Sequence, residues 1–273
     1  MSLLISGDLR LAKSFTQWTP SLISTALWLD AADASTISQS SGAVSQWNDK
    51  SGNGRNFTQV TAASRPAYTL SALNGLAAVT PDGSNDWMTG PVVFPGTTPN
   101  DYFVIAALRV LNIIDSGDNT ANNLFFQTAS TILNTNMYLN LAQGGSNYKV
   151  VHDLFPPTGG SLVSATTVQP NTSYIFAASR ISGTRAIWIN ASTDASQSGA
   201  ESYTGPAVTA TDLFMLRGTN NALNAHVGEI VMLAYPTDAN RQRIEGYLAH
   251  KWGLTANLPN THPYKYQIPT PGT

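Results

Sequence analysis

The pattern of apolar and polar residues sets one helical segment apart from the rest of the chain. Apolar side chains recur at positions i, i+3, i+4 and i+8, the spacing of a single helix face, and these are Ile244, Tyr247, Leu248 and Trp252. The spacing predicts an α-helix over Asp238–Trp252, whose apolar stripe acts as a structural lock against a neighbouring surface. Thr237 or Asp238 can cap its start, and Gly253 can cap its end. The polar residues of this segment that are expected to stay in water are Arg241, Arg243, Glu245 and His250.

Almost all of the remaining chain has the pattern of short β-strands separated by turns. The candidate strands are rich in Val, Ile, Phe and Tyr, and Gly, Asn, Asp and Pro occupy the segments between them. The clearest hairpin is SYIFAASRISGTRAIWIN, which turns at Ser182–Thr184. About ten or more strands with one late helix predict an all-β fold. We expect a two-sheet antiparallel sandwich of the jelly-roll type, with one C-terminal α-helix on an end or an outer edge.

The first residues look separate from this sandwich. Residues 1–20 are too apolar for a free tail and too few for a core of their own. They are expected either to add a first strand to the sheet or to form an assembly arm that docks on another subunit. The jelly-roll domain is predicted over residues 21–268, and residues 269–273 are predicted to form a short tail.

Composition narrows the classes of partner. Charged residues are 11% of the 273 residues, the net charge is −2 and neither sign clusters, which argues against a nucleic-acid partner. The chain has no cysteine, and no apolar run approaches the roughly 20 residues that span a bilayer. The N-terminus lacks the basic start and apolar core of an export signal. A virion protein satisfies these facts, and so does an extracellular or cell-surface protein whose leader was removed.

Three stretches together resemble a known family. They are LWLDAADASTI with VSQWNDKSGNGRNFTQ, then RPAY…LNGLAAVTPDGSNDWM, and RQRIEGYLAHKWGLTANLPNTHPYK near the C-terminus. They are similar to the concanavalin A-like (laminin-G-like) jelly-roll domains of phage structural proteins and bacterial surface proteins. The resemblance implies the fold and a binding or adhesive role, without specifying a ligand. The chain departs from the family at Pro81, where Phe is usual, and at Glu229, which comes earlier than the usual acidic residue of that strand.

The sequence favours a protein without catalytic activity. Glycoside hydrolysis needs two carboxyl groups about 5–10 Å apart. The glutamates of this chain do not form the Glu-x-Asp-x-Glu pattern of glucanases with this fold, and they are Glu201, Glu229 and Glu245. No Gly-x-Ser-x-Gly motif occurs, and the histidines His152 and His226 lie in unrelated contexts. His250 and His262 are expected to hydrogen-bond the helix to the loop that follows it.

Two turn-rich loops carry the candidate metal ligands. Their carboxylate and amide oxygens are those of Asp49, Asn53, Asp82 and Asp86, a donor set that Ca²⁺ prefers. The alternative is turn chemistry, in which Asp and Asn bond to their own backbone. No cofactor is required by the sequence, and Ca²⁺ is the cofactor that it leaves open.

A ligand platform is predicted beside one of these loops. Trp87, flanked by Asn85 and Asp86, is predicted to be exposed and able to stack on a sugar ring, whereas the other tryptophans are expected mainly in the core. Three polar loops, 115–123, 144–147 and 194–203, are expected to be either a recognition face or plain connections.

Together with these patterns, the resemblance implies a non-enzymatic phage virion protein of the capsid, tail or baseplate. Its jelly-roll domain would be displayed towards host-surface glycans. The expected partners are other virion subunits, host carbohydrate and further copies of this chain in a homo-oligomer, without nucleic acid or membrane insertion. Two alternatives stay open: a decoration or cement protein without a host ligand, and a carbohydrate-active enzyme.

Overall fold

Antiparallel strands make up most of the fold. The computed structural model describes residues 17–94, 101–113, 123–128, 133–141, 148–154, 161–199, 210–214 and 223–272. The strands in these ranges are β1 (Leu27–Asp30), β2 (Ile37–Ser40), β3 (Ala43–Trp47), β4 (Phe57–Thr58), β5 (Ala67–Leu73), β6 (Leu76–Thr80), β7 (Met88–Gly90), β8 (Tyr102–Asn112), β9 (Asn123–Thr128), β10 (Leu133–Leu141), β11 (Tyr148–Leu154), β12 (Leu162–Val163), β13 (Thr172–Ile181), β14 (Thr184–Ile189), β15 (Ser192–Ser198), β16 (Ala210–Leu213) and β17 (Asn224–Leu233). Short 3₁₀ turns lie at Pro20–Leu22, Ala34–Thr36, Ala62–Ser64 and Thr255–Asn257, and the α-helix α1 spans Asp238–Lys251. Within the described ranges, no helix is long and apolar enough to cross a membrane.

Strand pairing arranges these strands in two layers. The first sheet has the order β1-β17-β8-β13-β14-β15, and the second has the order β2-β3-β4-β7-β16-β9-β10-β11-β12. The β5–β6 hairpin joins the layers at one side, through single bridges from Val79 to Val227 and from Ala67 to Ala43. The main core cluster contains side chains of both sheets. The predicted all-β antiparallel sandwich is confirmed.

Strand β8 shows why the first sheet is buried on both faces. Alternate side chains from Tyr102 to Val110 point into the core between the sheets, and the intervening residues Phe103, Ile105 and Ala107 belong to a second cluster under α1. Because both faces are covered, the strand is a continuous apolar run rather than an alternating one. The predicted β13–β14 hairpin is confirmed, with Ser182 and Gly183 at φ values of 48° and 77° in its two-residue turn.

Helix α1 lies on the outer face of the first sheet. The four residues of the predicted stripe are 0–3% exposed and belong to the second cluster. The indole of Trp252 lies directly over Gly228, because a Cβ at Gly228 would come within 2.8 Å of the ring. Gly228 is the extra residue of a bulge in β17, where Val227 pairs with Leu108 and Glu229 pairs with Ala107. The glycine at the bulge, which has no Cβ, therefore leaves room for the indole ring.

The polar residues around α1 differ in part from the prediction. Glu245, expected in water, is buried, because Arg241 donates two hydrogen bonds to its carboxylate at 2.8 and 2.9 Å and His262 lies 3.2 Å away. His250 Nε2 lies 2.9 Å from the carbonyl oxygen of Tyr264. Both histidines thus connect the helix to the following loop, as expected.

The boundary of one predicted loop also changes. The predicted loop 194–203 overlaps strand β15, which pairs with β14 over its whole length. The residues of β15 are polar on both faces, so the sequence shows no alternating pattern that would indicate a strand. The end of the predicted arm packs on this chain itself. Trp18 is buried edge-on against Tyr247, and its backbone N–H donates to the carbonyl of Pro269 at 3.1 Å. Residues 1–16 of the predicted arm lie outside the described residues.

Candidate functional site

A buried cluster of charged side chains lies between α1 and the first sheet. Lys251 of the helix donates to Asp30 of β1 at 2.6 Å and to Glu229 of β17 at 2.7 Å. The Nε1 atoms of Trp28 and Trp252 also donate to the Glu229 carboxylate, at 2.6 and 2.8 Å. Each carboxylate is buried and occupied by donors of its own chain. The cluster therefore holds the helix on the sheet and offers no accessible carboxyl pair for glycoside hydrolysis.

The electrostatics of this cluster follow from burial. Burial raises the pKa of Glu229, and the nearby Lys251 ammonium opposes that rise. At the rim of the cluster, Lys50 bridges Asp30 at 2.9 Å and Asp33 at 2.8 Å. The hydrogen bond from Lys50 lowers the pKa of Asp33 to about 2. Each carboxylate of the cluster has an ammonium partner within 2.9 Å, which fits a structural role.

The predicted sugar platform is held by hydrogen bonds to the neighbouring loop. The backbone N–H of Trp87 donates to Ser64, its carbonyl accepts from Gln59, and Asn85 donates to the carbonyl of Ala63. The Trp87 residue is half-buried, and Asp86 is buried. Trp87 and Asn85 thus reach the surface in part, whereas Asp86 is not open to a ligand.

No hydrogen bond among the described residues joins the two loops that are predicted to bind calcium. Asp49 accepts four hydrogen bonds from its own surroundings, from the backbone N–H groups of Trp28, Ser51 and Arg55 and from the Ser51 hydroxyl. The Asn53 amide donates to the carbonyls of residues 25 and 26. The bonds from Ser51 and Arg55 lie within the turn, whereas those of Trp28 and Asn53 connect the loop to the start of β1.

The second loop brings two carboxyl groups together. The Asp86 carboxylate accepts from the backbone N–H of Asp82 at 3.0 Å, and the Asp82 carboxylate accepts from that of Ser84 at 2.8 Å. Burial, with the nearby Asp82 charge, raises the pKa of Asp86 to about 6. In the described ranges, no three acidic, histidine or cysteine side chains converge in a way that would ligate a metal ion.

A cavity of about 290 Å³ opens at one end of the sandwich. It lies where β1 and β8 begin and β17 ends, and it is lined by Ser24, Thr25, Ala26, Asn53, Arg55, Val93, Phe94, Asp101, Ala234 and Tyr235. The ring of Tyr235 is 86% exposed, and the ring of Phe94 is buried in the cavity wall and packs on Tyr102. An exposed ring beside a half-open cavity with polar side chains in its wall can stack on the flat apolar face of a small ligand.

Hydrogen bonds hold the polar side chains of this cavity in place, and part of their hydrogen-bonding capacity is unused. The Arg55 guanidinium donates once, to the carbonyl of Ala26 at 2.6 Å, and makes no other hydrogen bond or ion pair with the described residues. Asp101 accepts from the backbone N–H of Ser182 at 2.8 Å and lies 3.7 Å from Arg180. The cavity therefore presents donors from Arg55 and acceptors from Asp101 in one lining. It can recognise hydroxyl groups, which donate and accept at once.

Sequence reasoning missed most of this cavity. Asn53 was assigned to a metal site, and Arg55, Asp101 and Tyr235 were not singled out, because they lie in three segments distant in sequence. The signal that could have been used is Tyr235, an aromatic residue after an apolar strand and before Pro236, where no core position is expected. Of the predicted recognition loops 115–123 and 144–147, all residues except Asn123, the first residue of β9, lie outside the described residues.

Comparisons with known proteins identify the fold alone. No family model matches the sequence, and no curated protein matches it. Among solved structures, the chain is similar to domain 4 of a GH43 extracellular arabinanase from Geobacillus stearothermophilus, in complex with arabinotriose, with 12% identity over 76% of this chain and 91% of that domain and a TM-score of 0.53. An arabinofuranosidase complexed with arabinofuranosyl-α-1,2-xylobiose is 16% identical over 77% of this chain, with a TM-score of 0.56. The binding domain of botulinum neurotoxin serotype D is 11% identical over 81%, with a TM-score of 0.53.

The lengths covered differ among these proteins. The chain spans 51% of the arabinofuranosidase chain and 50% of the toxin binding domain. All three similarities lie in sheet-rich sandwich domains, which agrees with the concanavalin A-like type inferred from the sequence.

Proposed function

We propose that this β-sandwich is a non-enzymatic carbohydrate-binding module and that the cavity beside Tyr235 holds the sugar. The exposed tyrosine ring next to Arg55 and Asp101 is the observation that carries the proposal. Sugar rings present an apolar face of C–H groups, which stacks on an aromatic ring, and a rim of hydroxyls, which needs donors and acceptors together. The arabinotriose complex of the similar arabinanase domain supports the same class of ligand.

The size and charge of the cavity narrow the ligand. A cavity of about 290 Å³ lies at the small end of ligand pockets, which run from about 300 to 1,000 Å³. We therefore expect it to hold a terminal sugar rather than a long chain. One cation, Arg55, and one anion, Asp101, line it, so a neutral sugar is favoured over a strongly charged one. Single contacts of this kind are weak, and several copies on one particle would multiply them into avidity.

The proposed setting is a phage particle, in the capsid, tail or baseplate. The resemblance of the helix and of its following loop to phage structural proteins supports this setting. If residues 1–16 form the attachment arm, their deletion should abolish incorporation into particles and leave the sandwich folded. The deletion stops before Trp18 because that residue packs on α1. Normal incorporation of the shortened chain would contradict the attachment role.

A glycan array with matched tyrosine variants tests the binding site. Tyr235→Ala should lose binding to every glycan that the unaltered protein retains, because it removes the stacking ring at the cavity. Tyr266→Ala is the control, since Tyr266 is 79% exposed and does not line the cavity. Equal binding by both variants would place the ligand elsewhere. An absence of any glycan binding would favour a decoration or cement protein, and release of reducing sugar would favour a glycosidase.

A further inference from the structure

Arg109 lies on the helix-side face of the first sheet. Its neighbours Leu108 and Val110 point into the core between the sheets, so Arg109 projects to the opposite face, in line with Ala107 under α1. Its Nε atom is buried and has no hydrogen-bond partner among the residues that the structure describes. Within the part of the chain that the structure describes, the guanidinium forms no hydrogen bond and no ion pair. Its terminal nitrogens remain open as a two-pronged donor.

His226 lies beside this guanidinium. Strands β8 and β17 pair Arg109 directly with His226, and directly paired side chains on one face have Cβ atoms about 4.5–5.5 Å apart. The Nδ1 atom of His226 lies 2.8 Å from the hydroxyl oxygen of Thr80, and Nε2 forms no hydrogen bond with described residues. If Thr80 donates its hydroxyl proton to Nδ1, the ring carries its proton on Nε2 as a further donor.

No carboxylate of the described residues neutralises this pair. Burial and the Arg109 charge lower the pKa of His226, and no acidic group opposes them. On the same face, Glu229 of β17 pairs with Ala107, but its carboxylate already accepts from Trp28, Trp252 and Lys251. In the loop after β6, Asp82 bridges to Asn224 and accepts from Ser84, and Asp86 accepts from Asp82. On the other side of Arg109, strand β13 contributes Ser173. A guanidinium among neutral donors, partly open to solvent, is a site for an anion.

We infer that Arg109 and His226 form a second binding site, which takes a small oxyanion: a sulfate, a phosphate or the carboxylate of an acidic sugar. The guanidinium fork matches two oxygens of such a group, and the imidazole adds a further donor. This site lies apart from the Tyr235 cavity, with which it shares no lining residue. It would let the module bind an acidic or sulfated glycan at a second point, or a free anion.

Nuclear magnetic resonance of the histidine ring tests this site. Sodium sulfate, sodium phosphate and sodium glucuronate are titrated separately at constant ionic strength, with sodium chloride as the reference. We expect the His226 ring signals to shift and saturate and its pKa to rise with bound anion, because the anion favours the protonated ring. A response to glucuronate alone would identify the carboxylate of a sugar, and a response to sulfate or phosphate would identify the inorganic group.

Two arginine variants separate this site from the sugar cavity. Arg109→Gln should weaken anion binding by about tenfold or more, because it removes a charge-assisted pair of donors. It should fold normally, since the side chain makes no hydrogen bond with the described residues. Arg55→Gln should leave anion binding unchanged and weaken neutral-sugar binding. His226 signals that respond to no anion, or that respond equally in the Arg109→Gln protein, would overturn the inference and leave the sugar cavity untouched.

Discussion

Replacing Lys251 with Met tests whether the buried charges hold the helix on the sheet. Lys251 is the shared cation of Asp30 and Glu229, at 2.6 and 2.7 Å, and its side chain is only 16% exposed. Methionine keeps most of the apolar stem, so the main change is the loss of the charge. Leaving a buried charge without its partner costs about 3–5 kcal/mol. At about 3 °C per kcal/mol for a domain of this size, the melting temperature should fall by roughly 10 °C.

The pH dependence of this variant gives a second, independent readout. Burial already raises the pKa of Glu229, and Lys251 opposes that rise. Without Lys251, the folded-state pKa rises further above the unfolded value, so the folded state binds the proton more tightly. The free energy of unfolding of Lys251→Met should therefore increase as the pH falls from 7 to 5, measured by urea denaturation at each pH.

Matched variants test whether the unpaired Glu229 carboxylate causes the loss of stability. Glu229→Gln combined with Lys251→Met should recover part of the lost stability, because the unpaired charge is gone. Lys50→Met should cost less than Lys251→Met, since Lys50 lies at the rim, where Asp33 is partly exposed. A loss below about 1 kcal/mol for Lys251→Met, with no gain at lower pH, would refute the reasoning.

The remaining predictions concern packing, titration and metal. Trp252→Ala should cost about 3–5 kcal/mol in urea denaturation, because it empties a fully buried position over Gly228, and it should leave glycan preference unchanged on the array. Burial, with the nearby Arg185 charge, lowers the pKa of His152 to about 3. The free energy of unfolding should therefore fall as the pH drops from 6.5 towards 3, by up to about 1.4 kcal/mol per pH unit. His152→Gln should reduce that slope, and an unchanged slope would contradict the role of His152. EDTA should leave the melting temperature unchanged, because the Asp49 carboxylate is occupied by donors of its own loop and of β1. A fall in melting temperature that added Ca²⁺ reverses would support the calcium prediction.

The local pattern of the sequence was enough for the helix and for the clearest hairpin. The apolar spacing of α1 and its Thr237 cap, which accepts from the backbone N–H of Asn240, depend on residues within one turn of each other. The Ser182–Gly183 turn likewise depends on two adjacent residues that adopt positive φ. Features of this kind are encoded in short windows, so the sequence predicts them.

Strand β15 and Glu245 show where that pattern fails. The strand is polar on both faces, so alternation carries no signal, and its pairing with β14 alone defines it. Glu245 has the polarity of a surface residue, and it is buried because Arg241 and His262 reach it. Only the positions of those partners reveal the burial of such a group.

The buried charged cluster and the candidate site each bring together residues that are distant in the sequence. Lys251 meets Asp30 across 221 residues of sequence, and the Tyr235 cavity is built from segments that no motif connects. The sequence by itself determined an all-β sandwich with one amphipathic helix, because hydrophobic periodicity reports which face of each element is buried. It did not determine which charged residues meet under that helix or which end of the sandwich opens into a cavity, because pairing between distant strands leaves no mark in a local pattern.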